Sequence, residues 1–274
     1  MLTRNIPSTG ESLPAIGIGT YRGFDVGKGE KERAELTGVL RNLLSSGGSV
    51  LDSSPMYGRA EEVSGDLLAG ENARNKIFVA TKVWTTGERV GIDQMNRSMK
   101  LLRADPIDLM QIHNLVDWRT HLSTLRGWKE KGRVRYVGIT HYSSTAYKDL
   151  ERILSTEKLD FLQINYSLDD READRRILPL AAERGVAVLA NLPFGQGRLF
   201  AKLRGRPIPP WMNEAGCKTW SQALLKFVLA NEAVTCVIPG TGNAAHMAEN
   251  CRAGEGVVLG KSLCKELIEY WETQ

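Results

Sequence analysis

Eight short apolar segments recur along the 274-residue chain at nearly regular spacing, and they constrain the fold more than any other feature. Most are rich in valine and isoleucine and apolar at successive positions, which is typical of parallel strands buried on both faces. Between the last residues of successive segments the intervals are 33, 30, 30, 27, 26, 26 and 47 residues. The segments are Ala15–Gly19, Ser49–Asp52, Ile77–Lys82, Asp108–Ile112, Arg135–Ile139, Phe161–Asn165, Ala187–Asn191 and Val234–Ile238.

The stretches between these segments have the periodicity of amphipathic helices. Leu36, Val39, Leu40 and Leu43 fall on one face at helical spacing, and residues 220–228 repeat the pattern. A strand-helix alternation predicts an α/β fold, either a (β/α)8 TIM barrel or a doubly wound open sheet. The strand count of eight, and the lack of a G-x-G-x-x-G pattern after any strand, favour the barrel as a single domain over residues 1–274.

Two additions to the barrel are predicted from the remaining residues. Two short strands around residues 8–11 should form a β-hairpin that closes the barrel bottom. The 47-residue interval implies about twenty extra residues after the seventh strand, from Leu192 to about Cys217. A long loop at this end of a barrel is usually functional.

Composition excludes several functions. Lys and Arg number 36 against 32 Asp and Glu, and a net charge of +4 is too small for a nucleic-acid footprint. The four cysteines are too far apart in sequence for a metal or redox motif, which predicts buried reduced thiols and no metal site. With no apolar signal core and no run of about 18 apolar residues, we expect a cytoplasmic protein without membrane contact.

Reactive side chains stand at three adjacent strand ends, where a barrel of this type places its active site. Asp52 ends the second strand, Lys82 the third, and His113 follows the fourth. Each alone is more often structural, but the three together indicate chemistry. Since a charge beside a dry core is costly unless paired, Asp52 and Lys82 should neutralise each other across neighbouring strands.

Tyr57 follows Asp52 by five residues, in a turn held by Pro55 and Gly58. It is either a loop tyrosine that packs on its neighbours or a proton donor. The ordinary pKa of a phenol is near 10, and a nearby Lys82 ammonium favours the ionised form. We therefore expect Lys82 to bring the pKa of Tyr57 down towards the range useful for general acid–base catalysis.

An ordered series of motifs covering nearly the whole chain resembles the aldo-keto reductase family. The matching segments are Gly17–Tyr21, Asp52–Glu62, Thr81–Trp84, Gln111–Asn114, Val137–Thr140, Gln163–Asn165 and Ile238–Thr241. The resemblance implies NADPH-dependent reduction of aldehydes or ketones to alcohols, with NADH as a possible second cofactor. It implies a catalytic tetrad in which Tyr57 donates the proton, Lys82 held by Asp52 tunes Tyr57, and His113 orients the carbonyl oxygen.

The resemblance also implies a cofactor site with some unusual residues. Thr140 and His141 replace a carboxamide-binding Ser-Asn pair, Asn191 replaces an aromatic residue that stacks on the nicotinamide, and Gly240 and His246 replace basic residues near the 2′-phosphate. Arg198 and Arg204 of the long loop are expected to supply the missing charge. The full predicted set is Gly19, Thr20, Tyr21, Asp52, Thr140, His141, Gln163, Asn191, Leu192, Pro193, Phe194, Gly195, Gln196, Arg198, Arg204, Gly240, Thr241, Gly242, His246, Glu249 and Asn250.

The implied substrate pocket is lined by Tyr21, Trp84, His113 and Asn114, and its aromatics favour a small apolar or aromatic carbonyl compound. The resemblance gives a monomer or weak homo-oligomer. The altered Asn191 position also leaves open a cofactor-sensing regulatory subunit that turns over slowly. A third alternative, an aldolase with a Schiff base on Lys82, is disfavoured because Asp52 would keep the ammonium protonated.

Overall fold

A parallel eight-stranded sheet closes on itself and forms the centre of the molecule. In this computed structural model, which describes residues 1–273, the eight strands of the sheet are hydrogen-bonded to one another in chain order. Bridges from Ile16 to Val237 and from Gly19 to Gly240 join the first and last strands. The barrel predicted from the spacing is therefore confirmed, with strands β3 Ile18–Gly19, β4 Val50–Asp52, β5 Phe78–Val83, β6 Ile107–His113, β7 Val134–His141, β8 Phe161–Asn165, β9 Ala187–Asn191 and β10 Val234–Val237.

Helices cover the outside of the barrel, as the periodic segments predict. In the first of them, Leu36, Val39, Leu40 and Leu43 are buried on one face, and this apolar stripe packs the helix onto the sheet. The helices are α1 Glu30–Ser45, α2 Ala60–Gly70, α3 Glu88–Leu102, α4 Trp118–Glu130, α5 Tyr147–Thr156, α6 Ile177–Glu183, α7 Arg198–Lys202, α8 Pro210–Glu214, α9 Trp220–Ala230, α10 Ala244–Arg252 and α11 Lys261–Glu272.

The predicted hairpin is present and closes the barrel at the amino-terminal ends of the strands. Strands β1 (Thr3–Asn5) and β2 (Ser12–Pro14) pair antiparallel. Ile6 and Leu13 are buried in one cluster with residues that fill the barrel interior, Phe78, Tyr136 and Phe161 among them. The barrel interior is thus a packed core at this end, and the active site of a barrel of this type lies at the opposite end.

The long segment after β9 is folded rather than open. It contains a 3₁₀ turn at Gly195–Gly197, then α7 and α8, and buried Leu199, Leu203 and Met212 anchor it to the body. All four cysteines are free thiols; Cys217, Cys236 and Cys251 are buried, as the sequence predicts, whereas Cys264 is only half-buried. None of the helices among residues 1–273 has the length and apolar content needed to cross a membrane.

Candidate active site

A buried ion pair lies at the carboxyl ends of two neighbouring strands. Asp52 ends β4, Lys82 lies near the end of β5, and their side chains are only 2% and 1% exposed. The Lys82 ammonium is 2.7 Å from Asp52 Oδ2 and also donates to the Ser53 carbonyl at 2.8 Å. The pairing predicted from adjacent strand ends is therefore present, in a setting where each charge depends on the other.

Two glutamine amides complete the environment of the Asp52 carboxylate. Gln111 on β6 donates to Oδ1 at 3.2 Å, and Gln163 on β8 donates to Oδ2 at 3.0 Å. With Lys82, three donors from three different strands hold one carboxylate in place. Both amides keep a buried Oε1 atom without a hydrogen-bond partner among the described residues.

Tyr57 is held over the ion pair by a tight turn between β4 and α2. Gly58 has a positive φ of 60°, and a Cβ atom there would lie 2.3 Å from the Asp25 carboxylate, so no larger residue fits without movement. Asp25 in turn accepts the Arg59 backbone N–H at 2.9 Å. The Lys82 ammonium lies 5.2 Å from the centroid of the Tyr57 ring.

Burial is the main influence on the pKa of Tyr57. Loss of solvent raises the pKa of the phenol, and the Lys82 charge lowers it, but burial is the larger effect and the pKa stays above its ordinary value. Our expectation of a net lowering was therefore wrong, although the direction of the Lys82 effect was correct. The phenol is held protonated at neutral pH, as a proton donor must be.

Lys82 keeps its charge despite its burial. Burial alone would lower the pKa of the ammonium, but attraction to Asp52 and the contact with Tyr57 outweigh it and raise that pKa. An amine held in the ammonium form is a poor nucleophile, which argues against Schiff-base chemistry at this lysine.

His113 is a neutral imidazole beside the phenol. Burial, together with the positive charge of Lys82 and the nearby His141, lowers its pKa to about 3. Its ring is 6.0 Å from the Tyr57 ring and nearly perpendicular to it, and 6.4 Å from the Trp84 ring. Nδ1 lies 3.0 Å from the Ser54 hydroxyl. At neutral pH this ring can act only as a neutral hydrogen-bonding group.

Aromatic side chains border the opening above these groups. Tyr21 is 46% exposed with its ring centroid 5.0 Å from that of Tyr57, and Trp84 is 42% exposed. The Trp84 backbone is fixed by two hydrogen bonds to the Gln94 amide, at 2.6 and 3.1 Å. Asn114 has a positive φ of 53°, and its buried Oδ1 atom has no hydrogen-bond partner among residues 1–273. Tyr21 and His113 contact the Tyr57 ring and Trp84 contacts the His113 ring, so these three predicted substrate residues lie together. Asn114 directly follows His113 along the chain.

Several predicted cofactor residues converge on one cavity of about 250 Å³. It lies between the segment after β9 and the start of α10, whose first turn is capped by the Asn243 side chain. Phe200 and Ser221 also line it, and the predicted residues among its walls are Phe194, Gly240, Thr241, His246, Glu249 and Asn250.

The other predicted cofactor residues lie in several places. Leu192, Pro193, Gly195 and Gln196 follow β9, and Gly242 lies between β10 and α10. Another set lies at or near the carboxyl ends of the strands, at one end of the barrel: Gly19, Thr20, Thr140, His141 and Asn191. The basic residues of the long segment do not line the cavity: Arg198 is paired with Asp169 at 3.0 Å, and Arg204 is exposed.

Two polar contacts of the site were missed in the sequence. Gln111 was quoted only as part of a motif, yet it holds Asp52, and Ser54 was not considered, yet it contacts His113. A signal existed for Gln111. It stands two residues before His113 on one strand, so the two side chains point to the same face of the sheet.

Comparison with known proteins identifies the class of protein that this barrel and site define. A family model described as the Aldo/keto reductase family matches residues 15–271. The chain therefore belongs to the Aldo/keto reductase family, and it is an oxidoreductase.

Individual relatives resemble the chain over most of its length. It is 28% identical over 247 residues to a methylglyoxal reductase of Escherichia coli K12, covering 87% of this chain and 84% of the relative. It is 25% identical over 272 residues to an aldose reductase of Encephalitozoon cuniculi, covering 89% and 86%. Among solved structures, an aldo/keto reductase from Klebsiella pneumoniae in complex with NADP and acetate superposes with a TM-score of 0.80 at 24% identity, covering 96% of this chain and 93% of that one.

Proposed function

We propose that this protein reduces aldehydes or ketones to alcohols with NADPH, and that Tyr57 donates the proton. The proposal rests on one observation: a protonated phenol, a neutral imidazole and a buried Asp52–Lys82 pair meet at the open end of the barrel. A phenol beside an ammonium can give up its proton when negative charge develops on a substrate oxygen.

The residues present fit a nicotinamide dinucleotide. Gln163, Asn165 and Asn191 each hold a buried side-chain oxygen without a hydrogen-bond partner among the described residues, and they lie on neighbouring strands β8 and β9. The carboxamide group of a bound nicotinamide has N–H donors that can form hydrogen bonds with these oxygen atoms. Thr241 and His246 line the 250 Å³ cavity beside the start of α10, and their side chains can donate hydrogen bonds to a phosphate. NADP bound to the relative from Klebsiella pneumoniae supports the same assignment here.

Each residue of the tetrad then has a defined task. When bound, the reduced nicotinamide supplies the hydride that the carbonyl carbon receives. His113 is placed to donate a hydrogen bond to the carbonyl oxygen and orient it. Tyr57 transfers its proton to that oxygen, and the Lys82 ammonium stabilises the phenolate left behind. Asp52 holds Lys82 in place throughout the reaction, and the side-chain amides of Gln111 and Gln163 hold Asp52.

The test is oxidation of NADPH and of NADH by the purified protein with a panel of small aldehydes and ketones. Methylglyoxal belongs in the panel because a relative is named for its reduction. We expect turnover with several carbonyl compounds. Tight binding of cofactor with no turnover of any compound would instead support the cofactor-sensing subunit, which the replacement of an aromatic residue by Asn191 suggests.

A further inference from the structure

Ser54 contacts the Tyr57–His113 site through a single hydrogen bond. The residue is fully buried in the loop after β4, and its hydroxyl lies 3.0 Å from His113 Nδ1. The same oxygen accepts the Met56 backbone N–H at 3.4 Å. No further partner of this hydroxyl is found among residues 1–273, so the two contacts determine how its one hydrogen is used.

Only one tautomer of His113 satisfies all these groups. If Nδ1 carried the proton, the Ser54 oxygen would accept from both Met56 and His113, and its own buried hydrogen would have no acceptor. A buried donor without an acceptor costs about 1–3 kcal/mol. If Nδ1 is unprotonated, the hydroxyl donates to it and accepts from Met56, and nothing is left unpaired.

We propose that Ser54 is a positioning residue that holds His113 in the tautomer with its proton on Nε2. This inference rests on the proposed function, because that nitrogen then presents an N–H to the oxygen of a substrate carbonyl. With the proton on Nδ1, a neutral ring would present a lone pair to that oxygen and repel it. The Ser54 hydroxyl thus determines whether His113 attracts the substrate, although it touches no reacting atom.

Two other histidines serve as internal references. His121 Nε2 lies 2.7 Å from the Thr85 carbonyl, to which it must donate. His141 Nδ1 accepts the Ser143 backbone N–H at 3.0 Å, so in the neutral ring its proton is on Nε2. Neither contact involves Ser54, and a change at Ser54 should leave both rings as they are.

The experiment is two-dimensional NMR of ¹⁵N-histidine-labelled protein at pH 7 without substrate, which shows which ring nitrogen carries the proton. The wild type should show His113 with the proton on Nε2, and Ser54→Ala should add a population with the proton on Nδ1. Ser54→Thr retains a hydroxyl and should restore the wild-type pattern. Ser98→Ala removes another fully buried hydroxyl, which donates to Glu61, and should leave the His113 signals unchanged.

Kinetics with the carbonyl panel give the second readout. Loss of the hydrogen bond should lower kcat about tenfold in Ser54→Ala, with no change in the dissociation constant of NADPH. A wild-type His113 with its proton on Nδ1, or a Ser54→Ala variant with unchanged tautomer and kcat, would overturn the inference. The NMR result does not need turnover, so it stands apart from the outcome for carbonyl reduction itself.

Discussion

Lys82 carries a full charge at 1% exposure, and Asp52 is its ion-pair partner. In a Lys82→Met variant the Asp52 carboxylate keeps two amide donors but no opposite charge. We expect the free energy of unfolding to fall by about 3–5 kcal/mol, as measured by urea denaturation. Asp52→Asn in the same chain should recover part of the loss. Simply additive effects of the two changes would show that the pair is not coupled.

Individual site residues could be predicted where their position along a strand decides their role. Asp52, Lys82 and His113 stand at strand ends, and this alone brings them together. The pKa of Tyr57 could not be predicted, because it depends on how much solvent the turn excludes. The contact of Ser54 with His113 was also missed, since it depends on the path of the loop after β4.

The hairpin at the barrel bottom contributes stability without contributing to chemistry. Ile6 is fully buried against the barrel interior, and truncation to alanine leaves a cavity. We expect Ile6→Ala to lower the free energy of unfolding by about 2–5 kcal/mol and to leave kcat and KM unchanged at 25 °C. Ser8→Ala, on the exposed turn, is the matched control, and it should change neither the free energy of unfolding nor the kinetic constants. A lower kcat in folded Ile6→Ala protein would contradict the claim that the hairpin contributes to stability but not to catalysis.

The strands could be predicted because parallel strands that are buried on both faces are apolar at successive positions, and this pattern is visible in the sequence. Segments such as residues 161–165 and 187–191 coincide with the observed strands β8 and β9. The internal structure of the segment after β9 was not predicted. Its two helices, α7 and α8, have five residues each, too few to show a helical period in the sequence.

The whole molecule should lose stability in acid partly through His113. Its pKa of about 3 in the folded protein is below the ordinary 6.5, so between these values only the unfolded chain takes up the proton. The contribution of the neutral His113 ring to the free energy of unfolding is complete above pH 6.5. It is lost as the pH falls towards 3, by about 1.4 kcal/mol per pH unit. Urea denaturation at several pH values from 4 to 6 gives the free energy of unfolding as a function of pH. The slope of this curve should be smaller in His113→Asn than in the wild type by about 1.4 kcal/mol per pH unit. Parallel curves for the two proteins would contradict the assignment.

The central claim is that Tyr57 supplies the proton for carbonyl reduction, and Tyr57→Phe tests it most directly. The change removes one oxygen and keeps the ring that packs against Tyr21. NADPH oxidation with methylglyoxal should show kcat reduced by at least about 100-fold, while fluorescence titration should show unchanged binding of NADPH. A variant that retains wild-type turnover would contradict the claim, as would one whose loss of activity is explained by loss of cofactor binding.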